Sequence, residues 1–115
     1  MVARRRTQRI ARSLHGRWLR RGGSEPLHIS DVSAHGMFLR DPPDLPIGVL
    51  QQIEVDLPSA TVRLMVIPRH VSRAEWSRGI GLEIYATSSI DRELWFACFQ
   101  SAERHLRKPI AVEPA

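Results

Sequence analysis

The chain has 115 residues, of which 43% are hydrophobic and 25% charged; that supports one packed core, is too short for two, and is too apolar for a disordered tail. The formal net charge of +5 is unevenly placed: residues 1–21 hold eight arginines (Arg4, Arg5, Arg6, Arg9, Arg12, Arg17, Arg20, Arg21) and no acid, a local +8, while the remainder carries nine basic and twelve acidic side chains, a net of −3. Such a concentration disfavours a histone-like nucleic-acid coat, whose cations must be spread along a duplex, and suits a compact anion. The single cysteine, Cys98, excludes an intramolecular disulfide and a cysteine-based zinc site. No apolar run approaches the ~20 residues of a membrane span, and the N-terminus lacks the apolar stretch of a secretory signal. A cytoplasmic protein without membrane insertion is therefore expected.

In chain order, residues 1–9 read as a flexible arginine-rich arm. Ile10, Leu14 and Trp18 recur at i, i+4 and i+8, as in an organellar presequence or a surface-bound helix, but the segment is short of serine and is better read as arm and first strand. Residues 12–20 supply that strand, and Gly22-Gly23-Ser24-Glu25-Pro26 a turn. Leu27–Ser30 and Met37–Arg40 are short apolar segments on either side of Asp31–Gly36. Asp41–Pro46 contains three prolines, which remove donors and fix φ, so it is a loop. Beyond it the pattern has period 2: Ile53, Val55 and Leu57, then Val62, Leu64 and Val66 after a tight connection at Pro58-Ser59, then Ile80, Leu82 and Ile84.

The period then changes. Ile90, Leu94 and Cys98, with Ala97, Ala102 and Leu106 on the neighbouring row, follow helical spacing. Ser88 or Ser89 is available as N-cap, Asp91 and Glu93 fall in the first turn, Arg104, Arg107 and Lys108 in the last, and Pro109 stops the helix. A helix of about 16 residues is expected from this spacing, with Trp95, Phe96 and Phe99 packed on the sheet, followed by a disordered tail at 109–115. Six short strands with local turns and no helix between them predict a mainly antiparallel sheet, closed as a small barrel or stacked as a sandwich.

Asp31, Ser33 and His35 have the residue types of a hydrolase relay. Alternate positions of one extended segment put them side by side, however, rather than with the imidazole between hydroxyl and carboxylate, and no nucleophile elbow surrounds Ser33. His28, Asp31 and His35 show no recognised metal-ligand spacing. No enzymatic activity, metal or cofactor is expected.

Two other elements stand out, Arg5-Arg6-Thr7-Gln8-Arg9 and Asp31-Val32-Ser33-Ala34-His35-Gly36. A guanidinium fork matches phosphate oxygens bidentately and its plane stacks on a purine. A carboxylate such as Asp31 accepts from the guanine N1–H and amino group, whereas adenine presents an acceptor at N1. Ser33 adds a hydroxyl, and Gly36 permits either φ > 0 or a close backbone approach. Together they suit a guanine-containing dianion.

The order of these elements, Arg-x-x-x-Arg from Arg5 to Arg9, a short strand, then Asp-x-Ser-x-x-Gly from Asp31 to Gly36, resembles a PilZ domain. Leu45-Pro46-Ile47-Gly48, Gly79-Ile80-Gly81-Leu82-Glu83-Ile84 and Ser89-Ile90-Asp91-Arg92 extend the likeness to roughly residues 4–106. The resemblance implies a mainly β fold at residues 10–108, a six-stranded antiparallel β-barrel with a C-terminal α-helix, that binds the bacterial second messenger cyclic di-GMP. It implies that Arg5 and Arg9 embrace phosphates and stack on guanine, with Arg4 or Arg6 as further contacts, and that Asp31 and Ser33 read a guanine edge. The expectation is a non-enzymatic receptor for signal transduction, whose arm closes on the ligand and relays the signal to a partner protein. Two alternatives are a PilZ-like adaptor that binds protein but no nucleotide, and a small RNA- or single-strand-binding barrel. The second is disfavoured because only 6% of residues are aromatic and most of them lie in or near the helix.

Overall fold

A computed structural model describes residues 9–74 and 78–107; Arg4, Arg5, Arg6, the rest of the expected arm before Arg9, and the expected tail lie outside the described residues. Six strands, β1 (Ile10–Arg20), β2 (Gly23–Ser33), β3 (Gly36–Arg40), β4 (Gln51–Asp56), β5 (Thr61–Ser72) and β6 (Gly79–Thr87), precede one helix, α1 (Ser89–Arg107). The strands close into a barrel in the order β1-β2-β3-β6-β5-β4, and every neighbouring pair, including β1 with β4, is antiparallel. Closure leaves no sheet edge between the outer strands of an open sheet, so the choice between barrel and sandwich falls to the barrel.

Period 2 fills the interior. Ile53 and Val55 of β4, Val62, Leu64 and Val66 of β5, and Ile29 and Leu39 of β2 and β3 are fully buried and belong to one core. The expected turn at Gly22–Pro26 is shorter than its composition suggests. Only Arg21 and Gly22 turn, with Gly22 at φ 87°, a left-handed value that glycine adopts without a Cβ penalty. β2 already starts at Gly23, and Pro26 pairs with Arg17 beyond the point where β3 begins to pair at His28. A proline is tolerated where a strand has a neighbour on one side only.

The outer wall at β1, β4 and β5 is tied by charge. Arg17 donates to Glu54 and Asp56, and Arg63 donates to Glu54 at 2.8 Å. These bonds, Arg63 before Arg17, hold the Glu54 carboxyl below its usual range; Thr61 and then Arg17 do the same for Asp56.

α1 is capped by Ser88, whose Oγ accepts the Asp91 amide at 3.0 Å. Asp91 in turn accepts the Arg63 amide of β5 at 3.0 Å, which fixes the start of the helix on the barrel. The buried seam keeps Trp95 and Phe99, expected on the sheet, and Ala102 of the expected row, but not Ile90 or Phe96. Trp95, Phe99 and Ala102, at i, i+4 and i+7, join the core, and Leu94 and Cys98 are only partly covered. Ile90 is 69% and Phe96 43% exposed. The large indole takes the space over the barrel, and Ile90 stands about 140° round the helix from it at ~100° per residue. Burial raises the Cys98 thiol pKa.

Candidate functional site

β-Bulges decide which way the second motif points. Leu27 and Ile29 of β2 face the core, and strict alternation would send Asp31 inward and Val32 outward. Against β3, however, Ile29 pairs with Leu39 and Asp31 with Phe38, so Ser30 is an extra residue. Against β1 the same stretch is irregular between Ala11 and Leu14. The bulge inverts the parity. Val32 becomes 1% exposed core, and Asp31 emerges half-buried on the outer wall.

There it meets the last arginine of the first motif. Arg9 Nη2 lies 3.2 Å from Asp31 Oδ2, and its guanidinium carbon sits 4.9 Å from the centroid of the Phe38 ring. Residues 22 positions apart in sequence are thus brought together. Ser33 is buried, and its carbonyl accepts the Trp95 Nε1–H at 2.9 Å, so α1 is bonded to the motif. Gly36 opens β3 opposite Ser33. Of its two expected uses, close approach applies: a Cβ there would stand 2.5 Å from the Leu82 carbonyl oxygen.

A groove of about 420 Å³ runs along this wall, with Arg9, Ser33 and Gly36 on one side and Arg69, His70 and Glu83 on the other. Asp31 does not line it directly; it holds Arg9 at the rim. Arg69 Nε donates to Glu83 at 2.7 Å. Each described cation of the rim therefore has a carboxylate beside it, and those pairs are more than a quarter exposed, which makes them weak and exchangeable. Phe38, Arg69, His70, Glu83 and Trp95 were not among the motif residues. Their placement follows from barrel closure, although the alternating Gly79 and Gly81 already signal a bare strip on the outer face of β6.

A second, more apolar groove of about 450 Å³ lies between β6 and α1, with Tyr85, Trp95, Phe96 and Arg92 among its walls. His35 lines both grooves. Among the described residues, no group of three or more histidine, cysteine or acidic side chains is arranged to hold a metal ion, and no helix is long and apolar enough to cross a membrane.

A family model described as the PilZ domain matches residues 3–100. No curated protein sequence matches the chain. Among solved structures, the Bacillus subtilis inhibitor of motility MotI/DgrA aligns with a TM-score of 0.72 and 18% identity over 93% of this chain and 53% of its own. The PilZ domain with c-di-GMP of YcgR from Escherichia coli gives 0.67 and 18%, covering 92% of this chain and 96% of that one. YcgR in complex with c-di-GMP from the same organism gives 0.74 and 20%, covering 93% and 49%. The chain thus spans about half the length of the MotI and the longer YcgR structures, and at these identities the likeness is one of fold.

Proposed function

This chain belongs to the PilZ domain family, and on that premise we propose that it is a non-enzymatic cytoplasmic receptor for c-di-GMP. The observation that carries the reading is the contact between Arg9 and Asp31 at the rim of the outer groove, which joins the two motifs at one site. The two similar YcgR structures are complexes with c-di-GMP and support the choice of ligand.

In this reading Asp31 accepts from the N1–H and amino group of a guanine, which adenine cannot supply. Ser33 adds a hydroxyl at the groove wall, and Arg9 offers its planar face to the base and its fork to a phosphate. Arg5, with Arg4 or Arg6, neutralises the second phosphate as the N-terminal arm closes. Because the described rim cations are already paired with acids, the arm supplies the excess positive charge, and affinity falls as salt screens it. The bond from Trp95 to the Ser33 carbonyl couples an occupied site to α1, from which the signal passes to a partner protein.

Isothermal titration of the purified chain with c-di-GMP tests this. Wild type is expected to bind, with Arg9→Ala and Asp31→Ala abolishing the signal and Arg92→Ala, in the other groove, leaving it intact. No heat above dilution from well-folded protein at tens of micromolar would overturn the receptor reading and favour a nucleotide-free adaptor.

A further inference from the structure

Phe38 is buried on the wrong side of its strand. Met37 and Leu39 on either side of it belong to the barrel core, so period 2 turns Phe38 outward, yet it is only 4% exposed and lies outside that core cluster. Its cover comes from two directions. Beneath it, β6 presents no side chain: a Cβ on Gly79 would lie 2.7 and 2.8 Å from Phe38 Cε2 and Cζ, and one on Gly81 would lie 4.0 Å from Cδ1. Above it sits the Arg9 guanidinium. The ladder sets this up, because Asp31 pairs with Phe38 and Phe38 with Gly81, which puts carboxylate, ring and bare backbone in one row across three strands.

We propose that Phe38 is a positioning residue for Arg9: a platform on the glycine strip of β6 that holds one face of the guanidinium and leaves the other to stack on a purine base. The proposal rests on the c-di-GMP reading and deepens it. Arg9 is constrained twice, by Asp31 Oδ2 at Nη2 and by the Phe38 ring beneath its guanidinium carbon. A guanidinium is weakly hydrated and planar, so it tolerates an aromatic on one side and a base on the other. An ammonium group has no second face to offer. Fixing the side chain before the ligand arrives removes part of the ordering cost that a long, free arginine would carry into binding.

The test is a double-mutant cycle read by c-di-GMP titration. Phe38→Leu keeps an apolar group on the strip and removes the π face, and it should weaken binding roughly five- to tenfold, the size of one partly desolvated cation–π contact. In an Arg9→Lys background the same change should cost no more than about half as much on a logarithmic scale, since the ammonium keeps a charge over the ring but has no plane to be held. Equal losses in both backgrounds would mean that Phe38 is structural only, and would overturn the platform while leaving the receptor reading standing. Absence of binding by wild type would overturn the receptor reading and the stack with it. Should Phe38→Leu not fold, nuclear Overhauser contacts between the Arg9 side chain and the Phe38 ring in the wild-type complex decide: they are expected to persist with ligand, and their loss on ligand addition would overturn the proposal.

Discussion

Trp95→Phe removes the hydrogen bond that ties α1 to the Asp31–Gly36 motif while keeping an aromatic ring in the seam. The bond is 2.9 Å long, and its partners are Trp95 at 3% and Ser33 at 6% exposure, so water cannot replace the lost donor without opening the helix–barrel contact. An unsatisfied buried carbonyl costs about 1–3 kcal/mol, and losing the second ring of the indole adds about 1 kcal/mol of apolar burial. A loss of about 2–4 kcal/mol is expected, a large part of the stability of a domain this size. Urea unfolding followed by far-UV circular dichroism measures it, and c-di-GMP titration below the transition measures the effect on the site. Phe99→Leu is the control. Phe99 is buried in the same seam at 7% exposure, and this variant should lose about 1 kcal/mol of stability with wild-type affinity, whereas Trp95→Phe should lose stability and affinity together. If Trp95→Phe were no less stable than Phe99→Leu and bound like wild type, Ser33 would not be held through α1.

Gly36→Ala should lower the thermal midpoint by about 8 °C or more, because its Cβ would stand 2.5 Å from a backbone oxygen of β6 and β3 would have to part from that strand. A midpoint at or above that of wild type, the usual result of Gly→Ala at an open site, would show that the close approach imposes nothing. The Arg17 network predicts the acid limb of the stability curve. The folded-state pKa values of Glu54 and Asp56 are depressed, so their contribution is complete above the unfolded values near ~4 and is lost as pH falls through the lower folded values. Arg17→Met should therefore be less stable than wild type at pH 6, with the gap closing towards pH 3 in urea titrations; a gap that stays constant would contradict the assignment.

The strands were legible where one face is core and the other is water. Ile53/Val55, Val62/Leu64/Val66 and Ile80/Leu82 alternate without interruption, and β4, β5 and β6 lie over them. Alternation alone reads β1 and β2 less well, since a bulge shifts their parity at Ser30 and the register between Ala11 and Leu14. The same shift is what turns Asp31 outward. In α1 Trp95 and Phe99 pack on the sheet as expected, whereas Ile90 and Phe96 fall outside the seam, because Trp95 and Phe99 outweigh Ile90 in the area they can bury. Of the site, Arg9, Asp31, Ser33 and Gly36 were readable as motif residues. Arg69, His70 and Glu83 were not, because only the β5–β6 register across a closed barrel carries them to the opposite wall, and no local pattern encodes that distance.

The proposed function requires a guanine dinucleotide seated on the outer wall between the two motifs. The most direct measurement is amide chemical-shift mapping of the isotope-labelled chain during c-di-GMP titration. Saturable shifts should centre on Arg9, Asp31, Ser33, Gly36 and Phe38 and reach the Trp95 indole N–H through its bond to Ser33. Shifts confined to the groove between β6 and α1, or no shifts at ligand excess, would contradict it.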